Sequence, residues 1–214
     1  MEFSIRPAVV EDAPFVAWVQ QTASRSHLPF GFWDLAIPGS DEYRLGIIER
    51  VCRAQARSFA HWSRFLVAEV NGEPAAGLSA YDDAKMATGP LFFQALIEAL
   101  TAEGWNEARI GAMQQRLVSF LTCAPEQPDD TWIVEWVATR PAYRGKGLTK
   151  ALLGRILAEG QKRGFTQFQI GVLVGNTPAQ RAYEGVGFTV VEEKTHPDFE
   201  ATFGTPGIRR MQRR

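Results

Sequence analysis

Hydrophobic and polar positions alternate with strand spacing in some segments of the chain and recur with helical spacing in others. Short apolar segments in the first part of the chain predict strands, at 3–6, 65–70 and 74–81. Longer segments with one apolar face predict helices, at 11–23, 41–62 and 90–121. Asn71-Gly72 predicts a tight hairpin turn between the second and third strands, and Gly104 predicts a break in the last helical segment.

The last third of the chain predicts a strand, a glycine-containing turn, a helix and a second strand in succession. The strands are predicted at 131–139 and 165–174, and the helix at 148–163, where Gly164 ends it. Such a β-α-β unit places its two strands parallel, with a right-handed crossover.

A short helix and two further strands are predicted downstream of this unit. The helix begins with a capping-box pattern at 177–180, which includes a proline at the first helical position, and it ends near Gly185 and Gly187. A strand is predicted at 188–191, and an edge strand at 209–211.

The chain shows no internal repeat and no low-complexity linker, so we expect one domain over 1–214 with its core motifs at 131–191. Helical elaborations are expected at about 25–62 and 84–130. Within the first of these, the segment 27–40 combines proline and glycine with aromatic residues, which need cover from water. This segment therefore either packs on the core or lines a pocket.

Composition narrows the class of protein. The 214 residues are 45% hydrophobic and 22% charged, which is typical of a globular protein and excludes a disordered or collagen-like chain. The formal net charge of -1 argues against a nucleic-acid binder. We interpret the arginines near residue 214 as a solvated edge or tail in preference to a polyanion site. These are Arg209, Arg210, Arg213 and Arg214.

The cysteines and the apolar segments indicate the cellular compartment in which we expect the protein. Cys52 and Cys123 cannot form a disulfide framework, and no His/Cys cluster has zinc-ligand spacing, so no metal is expected. The N-terminal residues lack the pattern of a signal peptide, and no apolar run approaches the ~18 residues that a membrane span needs. We therefore expect a cytoplasmic protein that does not bind a membrane.

The turn at 143–150 carries the clearest candidate chemistry. Gly145 and Gly147 let the backbone curl tightly, which leaves the amides of 144–149 free at a helix N-terminus. Such amides, with the helix dipole, suit a phosphate or pyrophosphate. A P-loop would require glycine where Arg140 stands, and a dinucleotide fingerprint would require glycine or alanine where Lys150 stands, so a nucleotide is disfavoured.

Two segments resemble one enzyme family. The stretch 137–153 resembles the acyl-CoA motif of the GNAT superfamily of N-acetyltransferases, Gln/Arg-x-x-Gly-x-Gly/Ala. The motif falls on Arg144, Gly147 and Thr149, and Thr149 departs from the small residue usual at its end. Farther on, 176–188 resembles the Asn-x-x-Ala-x-x-x-Tyr-x-x-x-Gly-Phe segment of these enzymes.

The resemblance implies an α/β fold (α+β in some schemes) and an acetyl-CoA cofactor. The sheet would be mixed, mostly antiparallel and twisted, with a central parallel β-α-β unit and flanking helices. Acetyl-CoA would lie between the two parallel strands. Its pantetheine arm would bind the first strand at Val137, Ala138 and Thr139. Its pyrophosphate would bind the turn at Arg144, Gly145, Lys146, Gly147, Leu148 and Thr149. Asn176, Ala179 and Tyr183 would lie along the pantetheine and the thioester.

Acetylation of an amine requires a base and an acid, because an alkylamine is mostly protonated at pH 7 and a thiolate leaving group needs a proton. Strand alternation predicts that Glu135 shares one face with Ile133, Val137 and Thr139, where desolvation would raise its pKa and favour a role as base. Family members often carry a base on this strand. A solvated or salt-bridged glutamate is the alternative. Tyr183 is the predicted acid, and the alternative is a tyrosine that only packs.

The acceptor site is predicted from the aromatic loop, which would supply Phe30, Phe32, Trp33 and Asp34. Asp34 would pair with the substrate ammonium. The alternative is a hydrophobic plug that does not contact substrate. His27 lies beside this loop.

The function predicted is transfer of an acetyl group from acetyl-CoA to a primary amine of a small molecule, by direct attack in a ternary complex. A non-catalytic acyl-CoA sensor and acetylation of a protein amine remain as alternatives. The helical elaborations could serve as a substrate lid or as the surface of a homodimer.

Overall fold

The computed structural model describes residues 2–82 and 88–214, and its frame is a mixed β-sheet. Within this part of the chain seven strands pair in the order β1-β2-β3-β4-β5-β7-β6. They are β1 (Ser4–Pro7), β2 (Phe65–Val70), β3 (Glu73–Tyr81), β4 (Thr131–Thr139), β5 (Gln167–Leu173), β6 (Thr189–Thr195) and β7 (Gly207–Arg213). The β4–β5 pair is parallel, and the other pairs are antiparallel. The predicted sheet is therefore confirmed.

Eight α-helices in the described residues flank the sheet. They are α1 (Ala13–Arg25), α2 (Phe32–Ala36), α3 (Asp41–Cys52), α4 (Thr88–Ala102), α5 (Glu107–Leu121), α6 (Leu148–Lys162), α7 (Thr177–Glu184) and α8 (Pro197–Phe203). The helix predicted at 41–62 is too long, because the chain leaves α3 after Cys52 and packs Phe59 on Tyr81 and Phe92. The elaboration expected at 84–130 is described from residue 88, and residues 83–87 lie outside the described part.

The two faces of the sheet carry different helices. Phe65 and Val67 of β2 point to a core formed with α1 to α5, whereas Leu66 and Ala68 point to a core formed with α6 and α7. A smaller cluster around Phe199 joins α8 to β7. None of the helices in the described residues is long and apolar enough to cross a membrane.

The structure corrects two details near the C-terminal end. Asn176, not Thr177, caps α7, because its side-chain oxygen accepts from the amide of Ala179. The predicted edge strand, β7, lies instead between β5 and β6. Two of its arginines form ion pairs with glutamates of β6, Arg209 with Glu193 and Arg210 with Glu192.

A β-bulge in β4 corrects the predicted strand alternation. Gly77 pairs with Ala138 and Ser79 pairs with Glu135, so two residues of β4 oppose one residue of β3. One of the two, Trp136, has φ of 55°, a left-handed conformation that is rare for a bulky residue. Val137 therefore packs with the α6 core, while Trp136 and Ala138 pack with the α1 core. Strict alternation predicts that Glu135 and Val137 share one face of the sheet. Because of the bulge, they lie on opposite faces.

Candidate active site

The parallel strands β4 and β5 separate along their length. Their paired register begins at Thr131 with Gln167 and ends at Val134 with Ile170, although both strands continue beyond that point. β4 stays paired with β3 on its other side as far as Thr139. A cavity of about 760 Å³ fills the gap, and the separated parts of both strands line it. The separation leaves a strand edge facing a ligand-sized space.

One end of the cavity is formed by the glycine turn and the start of α6. Gly145 and Gly147 have φ of 73° and 84°, and a Cβ on either residue would meet nothing within 4 Å. Glycine is thus favoured at both positions by backbone conformation and not by lack of space. The first amides of α6 have no partner within the helix, which makes this end suitable for an anion.

Side chains around the turn add charge and rigidity. Arg144 and Lys150 line the cavity, whereas Lys146 lies outside the lining with its Nζ 5.2 Å from the ring centre of Tyr143. The hydroxyl of Thr149 forms a hydrogen bond of 2.9 Å with the hydroxyl of Thr139. The threonine that departs from the family pattern therefore ties the start of α6 to the end of β4.

Glu135 lines the cavity just before the bulge in β4. Desolvation raises the pKa of its carboxyl to about 7, and a hydrogen bond from the amide of Trp136 only partly opposes the increase. Among the described residues none forms an ion pair with Glu135. A carboxyl with this pKa is partly ionised at neutral pH, so it can accept a proton from a bound group and release it again.

Tyr183 lines the same cavity from α7. Burial raises the pKa of its phenol, and the negative charge of Glu135 raises it further. The two side chains are therefore within electrostatic reach of each other. Tyr183 remains protonated throughout the physiological range, so it can donate a proton.

Glu135 and Tyr183 approach from opposite faces of the sheet. Tyr183 belongs to the α6 core together with Val134. Glu135 follows Val134 in β4, so its side chain points to the opposite face, which carries α1 to α5. The gap between β4 and β5 thus connects a carboxyl group on one face with a phenol on the other.

Nearly all the residues predicted for the cofactor meet at this cavity. The exception is Lys146. The lining includes Val137, Ala138, Thr139, Arg144, Gly145, Gly147, Leu148, Thr149, Asn176, Ala179 and Tyr183. Asn176 also caps α7 through the hydrogen bond that its side-chain oxygen accepts from the amide of Ala179.

The predicted acceptor residues separate into two groups. Phe32 lines the cavity, but Phe30 packs on Phe203 and Trp33 is fully buried, with its ring stacked 6.0 Å from that of Trp136. Asp34 is also buried and does not line the cavity. Most of the aromatic loop therefore packs behind the residues that line the cavity and does not face the cavity itself.

Asp34 is already neutralised by two arginines. Its oxygens accept from Arg25 at 2.6 and 2.9 Å and from the amide of Gly31 at 3.0 Å, and Arg44 lies 3.3 Å away. This arrangement fixes the loop after α1. It also leaves the carboxylate poorly suited to a substrate ammonium, in contrast to the predicted role.

Several residues of the cavity were not predicted. Phe120 and Pro125 line it from one stretch of the chain, and Ile208 lines it from a stretch more than eighty positions later. Ser26 and His27 line it beside Asn176, whose amide nitrogen donates to the hydroxyl of Ser26. His27, noted for its position beside the aromatic loop, is the one of these that carries a signal in the sequence.

Comparison with known proteins identifies the type of fold around this cavity. Residues 93–188 match the family model described as acetyltransferase (GNAT) family. No curated protein matches the chain. A solved acetyltransferase structure is 20% identical, with a TM-score of 0.70 and 98% of each chain covered. An N-acetyltransferase from Staphylococcus aureus Mu50 is 19% identical, with a TM-score of 0.69, over 98% of this chain and 99% of that chain.

A third solved structure contains a ligand. This protein, yncA from Salmonella typhimurium, was solved with its cofactor acetyl-CoA. It is 19% identical, with a TM-score of 0.54, over 99% of this chain and 93% of that chain. At such identities these structures establish a shared fold.

Proposed function

We propose that the chain is an acetyltransferase of the GNAT family, whose model matches residues 93–188, and that it transfers the acetyl group of acetyl-CoA to a primary amine of a small molecule. The observation that carries the proposal is the gap between β4 and β5. An anion-binding helix end closes one side of this gap, and an acid–base pair, Glu135 and Tyr183, lies within it.

The residues around the gap fit acetyl-CoA. The free edge of β4 at Val137 to Thr139 offers backbone groups to the pantetheine amides, and the first turn of α6 offers amides to the pyrophosphate. Arg144 and Lys150 add positive charge at the same end. When bound, acetyl-CoA supplies an activated thioester carbonyl and a thiol leaving group.

Glu135 acts as the base in this proposal. An alkylamine has a pKa near 10 and must lose a proton before it can attack a carbonyl. The carboxylate of Glu135, with its pKa raised to about 7, accepts that proton more readily than an ordinary glutamate does. Tyr183 then donates its phenolic proton to the departing thiolate from the opposite face. The second proton of the amine nitrogen, lost as the tetrahedral intermediate collapses, restores the phenol, and Glu135 releases the first proton to solvent.

Direct attack is favoured over a covalent enzyme intermediate. Cys52 and Cys123 are both fully buried and do not line the cavity, and burial raises the pKa of the Cys52 thiol. A thiol with a raised pKa is a weak nucleophile. The two faces of the gap instead allow amine and thioester to meet in a ternary complex.

A non-catalytic acyl-CoA sensor and a protein amine as acceptor are the alternatives. The proposed pair of Glu135 and Tyr183 favours turnover over sensing, since a sensor needs neither group. A cytoplasmic location stays a prediction.

Two measurements, made one after the other, test the proposal. The first is a thermal-shift titration with acetyl-CoA, with ATP and NADH as controls, in which a ligand at one hundred times its Kd stabilises by about 2.7 kcal/mol. Lys150→Ala should weaken the shift, and Lys146→Ala, in the same turn but outside the lining, is the matched control. A shift with ATP or NADH alone would contradict the assignment of the turn.

The second measurement is release of free CoA thiol in the presence of amines. Thiol release that depends on the amine supports transfer. Stabilisation by acetyl-CoA without thiol release from any amine or peptide would support the sensor instead.

A further inference from the structure

The half of the cavity on the Glu135 face has an apolar wall. Phe32 from α2 and Phe120 from α5 pack edge to face with their ring centres 5.0 Å apart. Pro125 continues the wall from the loop before β4, Leu173 continues it from β5, and Ile208 continues it from β7. A ligand group that enters from this face meets carbon atoms on several sides.

The charged side chains behind this wall already form ion pairs or hydrogen bonds within the protein. Asp34 is held by Arg25 and Arg44, as described above. Arg116 of α5 donates to the backbone oxygens of Leu35 and Ala36. Over residues 2–82 and 88–214, the carboxylate that lines the cavity is that of Glu135 alone.

Two serine side chains that line the cavity also have partners. The hydroxyl of Ser24 donates to the backbone oxygen of Gln21, and the hydroxyl of Ser26 accepts from Asn176. Each of the two hydroxyls is thus partly used, and the apolar wall itself presents no side-chain hydrogen-bonding group to a ligand that carries many hydroxyl groups.

We propose that the acceptor is a primary amine with one apolar substituent, an aromatic ring or a branched alkyl group, and with no second charged group. This inference rests on the proposed transferase function and narrows its substrate class. The amine nitrogen would approach Glu135, and the substituent would lie against Phe32 and Phe120. A second ammonium in the same position would lose its hydration without gaining a counter-charge.

The test compares amines that differ in the substituent and not in the reacting group. Thiol release is measured with 2-phenylethylamine, 3-methylbutylamine, 1,4-diaminobutane, glucosamine and a short lysine-containing peptide. Burial of a phenyl or branched alkyl group is expected to favour the apolar amines over 1,4-diaminobutane by roughly 10- to 100-fold in kcat/KM. Equal or higher kcat/KM with the diamine, glucosamine or the peptide would overturn the proposal but leave the transferase function intact.

Variants of the wall provide a second readout. Phe120→Asp places a carboxylate in the lining and should narrow or reverse the preference for 2-phenylethylamine over 1,4-diaminobutane. Val118→Asp on the same helix is the matched control, because Val118 is 53% exposed. Pro125→Asp repeats the test from a loop if Phe120→Asp does not fold. An unchanged preference in the folded variants would also overturn the proposal.

Failure of the transferase function itself has a different signature. In that case acetyl-CoA still stabilises the protein, but none of the amines or the peptide releases thiol. That result would remove both the proposed function and the acceptor class.

Discussion

Replacement of Glu135 by glutamine should reduce activity and increase stability at the same time. The carboxyl is desolvated in the cavity, which raises its pKa from an ordinary 4.5 to about 7. Desolvation makes the carboxylate a better base, but it also means that the folded protein holds an ionised group in an unfavourable place. Glutamine keeps the shape of the side chain and removes the charge.

The pH dependence follows from the sign of this shift. The folded state binds the proton of Glu135 more tightly than the unfolded state does, so the free energy of unfolding falls as pH rises from 4.5 to 7 and then levels off. A shift of this size corresponds to about 3 kcal/mol at most. Part of the side chain remains open to the cavity, so we expect a gain of about 1–2 kcal/mol in Glu135→Gln above pH 7.

Thermal unfolding at several pH values measures the stability effect. For a chain of this length the expected gain raises Tm by about 2–8 °C at pH 8, and it should shrink towards zero as pH falls to 4.5. Glu73→Gln, at the exposed start of β3, is the control and should not show this pH-dependent gain. A gain in Glu135→Gln that is the same at pH 5 and pH 8 would refute the desolvation of Glu135.

The activity of the same variant tests the role of the base. In the wild type, kcat/KM should rise through a pKa of about 7 that stays in place when amines of different basicity are compared. In Glu135→Gln this transition should be lost, and the deficit should shrink as pH rises and the amine deprotonates unaided. An identical pH profile in both proteins would exclude Glu135 as the base.

Three further variants address other parts of the site. Tyr183→Phe keeps the packing but removes the acid, so kcat should fall by about 100-fold or more while calorimetry shows an unchanged Kd for acetyl-CoA. Gly147→Ala places a residue with a side chain in a left-handed backbone conformation, with φ of 84°, and should lower the free energy of unfolding in denaturant by about 1–2 kcal/mol. Gly154→Ala within α6 is the control and should leave that free energy unchanged or raise it. Asp34→Asn should destabilise the protein by on the order of 3 kcal/mol without raising the acceptor KM, and a raised KM in a folded variant would restore its predicted substrate role.

The β-α-β unit and its glycine turn could be predicted because their signals are local. Positive φ at Gly147, the start of α6 and the parallel pairing of β4 with β5 all follow from residues close together in the sequence. The bulge at Trp136 could not be predicted in this way. The apolar pattern of β4 continues through it unbroken, and the extra residue is defined only by pairing with β3, more than fifty positions earlier.

The half of the cavity that we propose for the acceptor was harder to predict for a similar reason. The composition of the aromatic loop could not distinguish a residue that lines a cavity from one that supports it. Phe32 and Trp33 are adjacent, yet one faces the cavity and the other stacks behind Trp136. Asp34 is an unpaired acid in the sequence, and its neutralisation depends on Arg44 from another helix as well as on Arg25.

The position of β7 affects how the protein is made. β6 joins the sheet through β7, which lies between it and β5 although it is translated later. During synthesis from the N-terminus, residues 189–195 are therefore made before the strand they pair with. Until 207–213 join the sheet, the edge of β5 and all of β6 remain unpaired, which is the kind of exposed strand that chaperones bind and that aggregates readily.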